Sequence, residues 1–339
     1  MNNLSIKYIK KNVLNFERTQ IEQSKKNETV VKIHSCGICG SDLKILKNGS
    51  NRVKKNTVLG HEMSGEILST TSKKYFKKGQ KIILGADIPN KFNKDLAFGH
   101  EIDGGFQKYL KINSNLLRKA PHYITSTKIN HNNTCLTEPL ACCLNGFEKI
   151  NFKPKKNVII FGAGSIGNLI AKLCIYYKSK KIILVDTNNF KLSKSVNNKK
   201  IFKFNLNNYK KKIFSVLKKE ESVDYCFVAC NSAEAQNEAI NIVSKNGSIN
   251  FFSGLTKKKG KNRNVKINTN LIHYKQLKIV GSHGSEKKHI IKAAKLIIEK
   301  KILLNDLVTH VFSLKKIKRA FDVMKTGKSI KIIIKPQNV

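Results

Sequence analysis

Gly162-Ala163-Gly164-Ser165-Ile166-Gly167 constrains this chain more than any other feature, because it follows an apolar run at 157–161 and opens a stretch of helical periodicity at 166–177. A glycine pattern of this kind is informative only where a strand runs into it and a helix leaves it. In that setting the first glycine permits a tight turn, the second lets the backbone approach a pyrophosphate, and the third packs helix on strand. Ser165 and Ile166 then fall in the first helical turn, whose free N–H groups and positive dipole end face the phosphates. A second strand is expected over 181–185, ending at Asp186. There a carboxylate accepts both hydroxyls of an adenosine ribose and repels a 2′-phosphate, so NAD is expected over NADP, with Lys191 softening the preference. The alternative is that Asp186 caps a helix beginning near Asn189.

Beyond this point strands at 223–229, 248–252 and 277–280 alternate with a helix at 233–244. Strands separated by helices imply βαβ units on a parallel sheet, an α/β doubly wound domain of the Rossmann type. Before residue 120 the pattern is different: short strands at 30–34, 63–67, 81–84 and 106–112 lie between turn residues, as in a compact β-rich unit. After residue 287, helices at 290–300 and 314–324 precede a last strand at 330–334 that is expected to return to the first unit. A chain of 339 residues is expected to form two domains. The expected division is 1–145, 146–282 and 283–339. The Lys/Asn-rich patches at 188–200 and 256–264 read as solvated helix or loop.

The net charge of +43 raises the question of a nucleic-acid partner. Nearly all the excess is Lys, spread over every segment, whereas a reader of base edges would concentrate Arg on one face. The charge is therefore read as a solvated surface, and no specific nucleic-acid partner is expected. The longest uncharged stretch, 157–171, is broken by three glycines, and no membrane association is expected. Eight cysteines without a secretory signal point to reduced thiols and a cytoplasmic protein.

Cys36-Gly-Ile-Cys39-Gly-Ser41-Asp42 on a loop and Gly60-His61-Glu62 before a strand bring a thiolate, an imidazole and a carboxylate into one candidate constellation. Zinc takes such ligands in a tetrahedral field, and a catalytic site keeps one position open for water or substrate. The Cys-x-x-Cys alone is ambiguous. A zinc ribbon would need a second pair, and a thioredoxin-like motif would need a helix after it, whereas Gly40, Ser41 and Asp42 read as a turn.

Cys-Gly-Ile-Cys-Gly-Ser-Asp, Gly-His-Glu, Thr137-Glu138-Pro139-Leu140 and Gly-Ala-Gly-Ser-Ile-Gly, in this order, resemble the zinc-containing medium-chain dehydrogenases, most closely the polyol and threonine dehydrogenase branches. Asp103-Gly-Gly-Phe106 and the stretch from Thr309-His310 to Lys335 extend the likeness. The resemblance implies a GroES-like β-barrel catalytic domain interrupted by the Rossmann domain, and a single catalytic Zn2+ held by Cys39 and His61. Glu62 would be a ligand or an exchangeable one, and Glu138 would complete the site directly or through water. Cys36 would not ligate. Cys142 and Cys143 are rivals for the third position, although packing of a helix face is the simpler role for them. Asp42 would accept from the ring nitrogen of His61 that does not touch metal. Ser41 would pass the alcohol proton towards solvent, unless it only bonds its own turn.

The implied reaction is hydride transfer between a secondary alcohol (a sugar alcohol, cyclitol or related polyol, with threonine as the alternative) and NAD, by a homo-oligomer, dimer or tetramer. Three departures qualify this. The stretch 86–102 lacks the four cysteines of many members, so no structural zinc is expected. Lys44 replaces a His. Ile45, Gly284 and Ser285 stand where sorbitol dehydrogenases hold their polyol, so the substrate is expected not to be sorbitol itself. His283 is expected to line the nicotinamide end, or else to cap the following helix. The competing readings are a zinc-free NADPH-dependent quinone or enone reductase and a non-catalytic basic binding protein.

Overall fold

The computed structural model of the protein describes residues 1–89, 96–256 and 264–338. It divides into two units, one of Met1–Ala141, Gly284–Thr326 and Lys331–Val339, the other of Cys142–His283 and Gly327–Ile330. The first division falls inside the helix Thr137–Lys149, slightly earlier than residue 145.

In the second unit the strands are apolar on both faces, as a parallel sheet covered by helices requires. Val158, Ile159, Ile160 and Phe161 are all buried, as are Ile182 to Val185 beside them. The six strands lie in the order Ile201–Asn205, Ile182–Asp186, Val158–Phe161, Tyr225–Val228, Ser248–Phe251 and Lys278–Gly281, all parallel. The chain winds outward from Val158–Phe161 to one edge and then crosses back to the other side. That reversal is the switch point beside which ligands bind in such sheets. The helix Ser165–Tyr176 leaves from it. Of the two basic patches, 188–200 contains the short helix Asn189–Lys194, and most of 256–264 lies outside the described residues.

The first unit is built on the strand Glu28–Gly37, which pairs antiparallel with Glu62–Thr70, Tyr109–Asn113 and Lys331–Lys335. Its inward side chains, with Val31, Ile33, Met63, Ile67 and Ile332 among them, form one core cluster. Two consequences place the site. Pairing of Gly37 with Glu62 sets the Cys-x-x-Cys segment beside the Gly-His-Glu segment. Pairing of Ile333 with Gly37 brings the chain's last strand to the same end of the sheet. The strand expected from residue 106 begins only at Tyr109. Gly104, Gly105 and Phe106 instead donate their N–H groups to the carbonyls of Val58, Gly60 and Leu59, at 2.7, 2.8 and 3.0 Å.

One expectation is corrected. Gly40, Ser41 and Asp42 do not form an isolated turn but open the helix Gly40–Asn48, with Cys39 as its N-cap. The Asp42 carboxylate, at the third helical position, accepts the Cys39 N–H at 2.9 Å. Residues that favour turns by bonding nearby N–H groups do the same at a helix start, so composition could not separate the two. The lack of a following helix therefore no longer counts against a redox pair. Cys36 does: it is fully buried, and burial, reinforced by Asp42, pushes its thiol well above the ordinary value, the opposite of a reactive thiol. Among the described residues no helix is long and apolar enough to cross a membrane.

Candidate functional site

Cys39, His61 and Glu62 come together as the sequence pattern suggests. One ligand atom from each lies within 4.8 Å of the others, distances that a single ion bonded at about 2.0 to 2.3 Å bridges with small side-chain movement. The donor set itself, one thiolate, one imidazole and one carboxylate, suits zinc.

Asp42 organises the three. Fully buried, it accepts from the Cys39 N–H and, at 3.3 Å, from the Gly60 N–H, and it lies at ion-pair distance, 3.5 Å, from His61 Nδ1. It thus ties together the two segments that carry the metal donors and leaves His61 Nε2 facing Ser41 Oγ at 3.4 Å. Burial disfavours charge on Asp42, yet His61 and the hydrogen bond from Cys39 hold its carboxyl below the ordinary range. Burial likewise disfavours charge on His61, and Asp42 and Cys39 hold its proton on, well above the ordinary value. Gly60, at φ +91°, is obligatory: a Cβ there would lie 2.8 Å from both Cys36 Sγ and Phe106.

Two residues that sequence reasoning missed adjoin this group. Lys331, on the last strand, forms an ion pair with Glu62, the two side chains 2% and 1% exposed, and donates to Ile38 O at 3.1 Å. Burial opposes its charge, while Glu62 and Cys39 hold it above the ordinary lysine value. Gly37 makes room for the pair, since a Cβ would lie 2.0 Å from Glu62 Oε2. His100 is the second, its ring centroid 5.8 Å from that of His61. Burial and the neighbouring His61 lower its affinity for a proton. A histidine after Gly99 carried no spacing signal that could have marked it.

Glu138, in the first turn of the helix Thr137–Lys149, is buried but is not a member of the three-donor group. Neither are Cys142 and Cys143, on the far side of the division within that helix. Lys44 is exposed on the helix Gly40–Asn48, and Ile45 is buried against the core.

In the second unit the glycine motif has the shape a phosphate needs. Gly162 lies at φ +110°, and a Cβ on Gly167 would fall 1.7 Å from Gly162 O. A Cβ on Gly164 would meet nothing within 4 Å, so open space lies over the turn. Gly164 is the N-cap of Ser165–Tyr176 and supplies no side-chain cap, leaving the N–H groups of Ser165, Ile166 and Gly167 for a ligand. Asp186 accepts from Ala163 N at 2.7 Å and Asn188 N at 2.8 Å. It is not the cap of the next helix: that is Asn188, which accepts from Lys191 N at 3.1 Å. His283 is exposed, with its carbonyl accepting from Asn145. The helix Lys287–Ile298 is capped by Glu286 rather than His283.

Two family models match the chain: "Alcohol dehydrogenase GroES-like domain" over residues 25–122 and "Glucose dehydrogenase C-terminus" over 134–335. The chain is 24% identical to the sorbitol dehydrogenase of Halalkalibacterium halodurans, covering 92% of each. It is also 24% identical to D-arabinitol dehydrogenase 1 of Uromyces fabae, over 91% of this chain and 90% of that one. The solved 2R,3R-butanediol dehydrogenase of Bacillus subtilis superposes with a TM-score of 0.86 at 18% identity, over 99% of this chain and 100% of that one.

Proposed function

The chain belongs to the zinc-containing medium-chain dehydrogenases, in their polyol branch, and from that premise we propose that it moves a hydride between a secondary alcohol of polyol type and NAD. The observation that carries the proposal is the convergence of Cys39, His61 and Glu62. Zinc held there would supply Lewis acidity towards a substrate hydroxyl, and bound NAD would supply the hydride acceptor.

The residues divide the remaining work. Cys39 Sγ and His61 Nε2 would hold the ion, with the Asp42 carboxylate 3.5 Å from Nδ1 of the same ring to orient it. Glu62 would ligate exchangeably, because Lys331 offers its carboxylate a second partner. Glu138 acts on the site through water. Ser41 Oγ receives the hydroxyl proton and passes it outward. Gly162, Gly164 and Gly167 shape the turn that admits the pyrophosphate to the N–H groups of Ser165 and Ile166. Asp186 spends two acceptor sites on backbone N–H groups and keeps others for the ribose hydroxyls. Lys191 would contact the coenzyme at its adenosine ribose end and His283 at its nicotinamide end. Relatives named for sorbitol and arabinitol support a polyol substrate. Free thiols at Cys36, Cys39, Cys135, Cys174, Cys226 and Cys230 support a reducing cytoplasm, and the edge strand Lys278–Gly281 supports a homo-oligomer.

The test is a panel of sugar alcohols, cyclitols and threonine, each with NAD and with NADP, followed at the NADH absorbance. Turnover of at least one polyol with NAD is expected, and turnover of none overturns the proposal. In Asp186→Ser the ratio of kcat/KM with NAD to that with NADP falls about tenfold or more, a hydrogen bond to a charged group being worth about 1.5 to 3 kcal/mol. An unchanged ratio removes Asp186 from the coenzyme site.

A further inference from the structure

The turn at 97–102 brings to the candidate metal centre an imidazole that belongs to neither metal-binding motif. The rings of His100 and His61 lie 5.8 Å apart between centroids, tilted by 52°. The turn closes on itself through Gly99 N–H to Ile102 O at 2.7 Å and His100 N–H to Ala97 O at 3.2 Å. Glu101 anchors it: Arg52 donates from Nε at 2.7 Å and Nη2 at 3.1 Å to its two oxygens, and Ala97 N–H donates to Oε2 at 2.9 Å. Gly99, at φ +71°, lets the turn press on the metal loop, since a Cβ there would lie 2.9 Å from the N of Gly60, the residue before His61. His100 is therefore held in place relative to His61 by packed backbone.

Its hydrogen-bonding sense is also determined. Nδ1 lies 3.2 Å from the carbonyl of Phe98. A carbonyl only accepts, so Nδ1 carries the proton and Nε2 presents a lone pair. Among the described residues Nε2 has no hydrogen-bond or ion-pair partner. An acceptor of this kind beside a centre that takes hydroxyls calls for a hydroxyl donor.

We propose that His100 determines specificity: its Nε2 accepts a hydrogen bond from the substrate hydroxyl next to the one that reacts, so the site selects vicinal diols over simple secondary alcohols. The inference rests on the zinc and alcohol reading above. A site that bonds a substrate hydroxyl rejects the analogue lacking it, because the site's own polar group is then left unpaired.

The test uses cobalt-substituted wild type, His100→Phe and His100→Gln, each titrated with butane-2,3-diol and with butan-2-ol while the visible band of the thiolate-bound cobalt is followed. Wild type is expected to bind the diol more tightly. His100→Phe, which keeps the ring's bulk, loses about tenfold in diol affinity, the worth of one hydrogen bond, with butan-2-ol unaltered. His100→Gln, which keeps an acceptor, retains part of the preference, and kcat/KM with NAD follows the same order. Equal losses on both alcohols, or no loss, overturn the proposal. Weakened cobalt binding in His100→Phe also overturns it, by making His100 a support for His61. An absent cobalt band in wild type overturns the zinc reading itself and is recognisable as such.

Discussion

Cys39→Ser is expected to fold yet to hold far less than one zinc per chain and to lose about a thousandfold or more in kcat/KM, a Lewis acid being worth several kcal/mol of barrier. The substitution removes a soft, charged ligand and leaves a hydroxyl that binds zinc poorly. It leaves the local fold intact. Cys39 caps its helix through backbone, with Asp42 taking its N–H, and Ser is itself a favoured N-cap. Metal content by emission spectrometry, with circular dichroism as the folding control, decides the matter. Full zinc and full activity in the variant would remove Cys39 from the site.

Lys331→Met is expected to destabilise the metal-free protein by about 3 to 5 kcal/mol, the usual consequence of stranding one charge of a buried pair. Glu62 would keep its carboxylate in a site only 1% exposed with its cation gone. Zinc at Cys39 and His61 gives that carboxylate another positive partner, so the loss should shrink when the protein is zinc-loaded. Denaturant midpoints with and without chelator measure both quantities. An equal loss in the two states would mean that Glu62 does not turn to the metal, and no loss in either would mean that the buried pair contributes nothing.

The parts of this molecule that could be read from sequence are those whose cause is local. Gly162 to Gly167 announces itself because strand, turn and helix follow one another along the chain, and the apolar runs at 157–161, 181–185 and 223–229 read as strands that the structure forms at Val158–Phe161, Ile182–Asp186 and Tyr225–Val228. Cys39, His61 and Glu62 were legible through motif, since ligand chemistry fixes residue type. What escaped depended on distant pairing or on ambiguous chemistry. Lys331 reaches Glu62 only because the last strand returns to pair with Glu28–Gly37, and nothing in its own surroundings distinguishes it among so many lysines. His100 meets His61 through two glycine-rich turns pressed together. Gly40, Ser41 and Asp42 misled because the capping chemistry of a helix start matches that of a turn. Glu138 was placed by analogy with relatives, and the described geometry leaves it outside the three donors.

The metal is the claim on which the mechanism depends, and its stoichiometry tests it most directly. Wild-type protein purified without chelators should carry about one zinc per chain and lose both the ion and NAD-linked turnover together when stripped, regaining both on addition of zinc. Folded protein that carries no zinc and keeps its turnover would contradict the account.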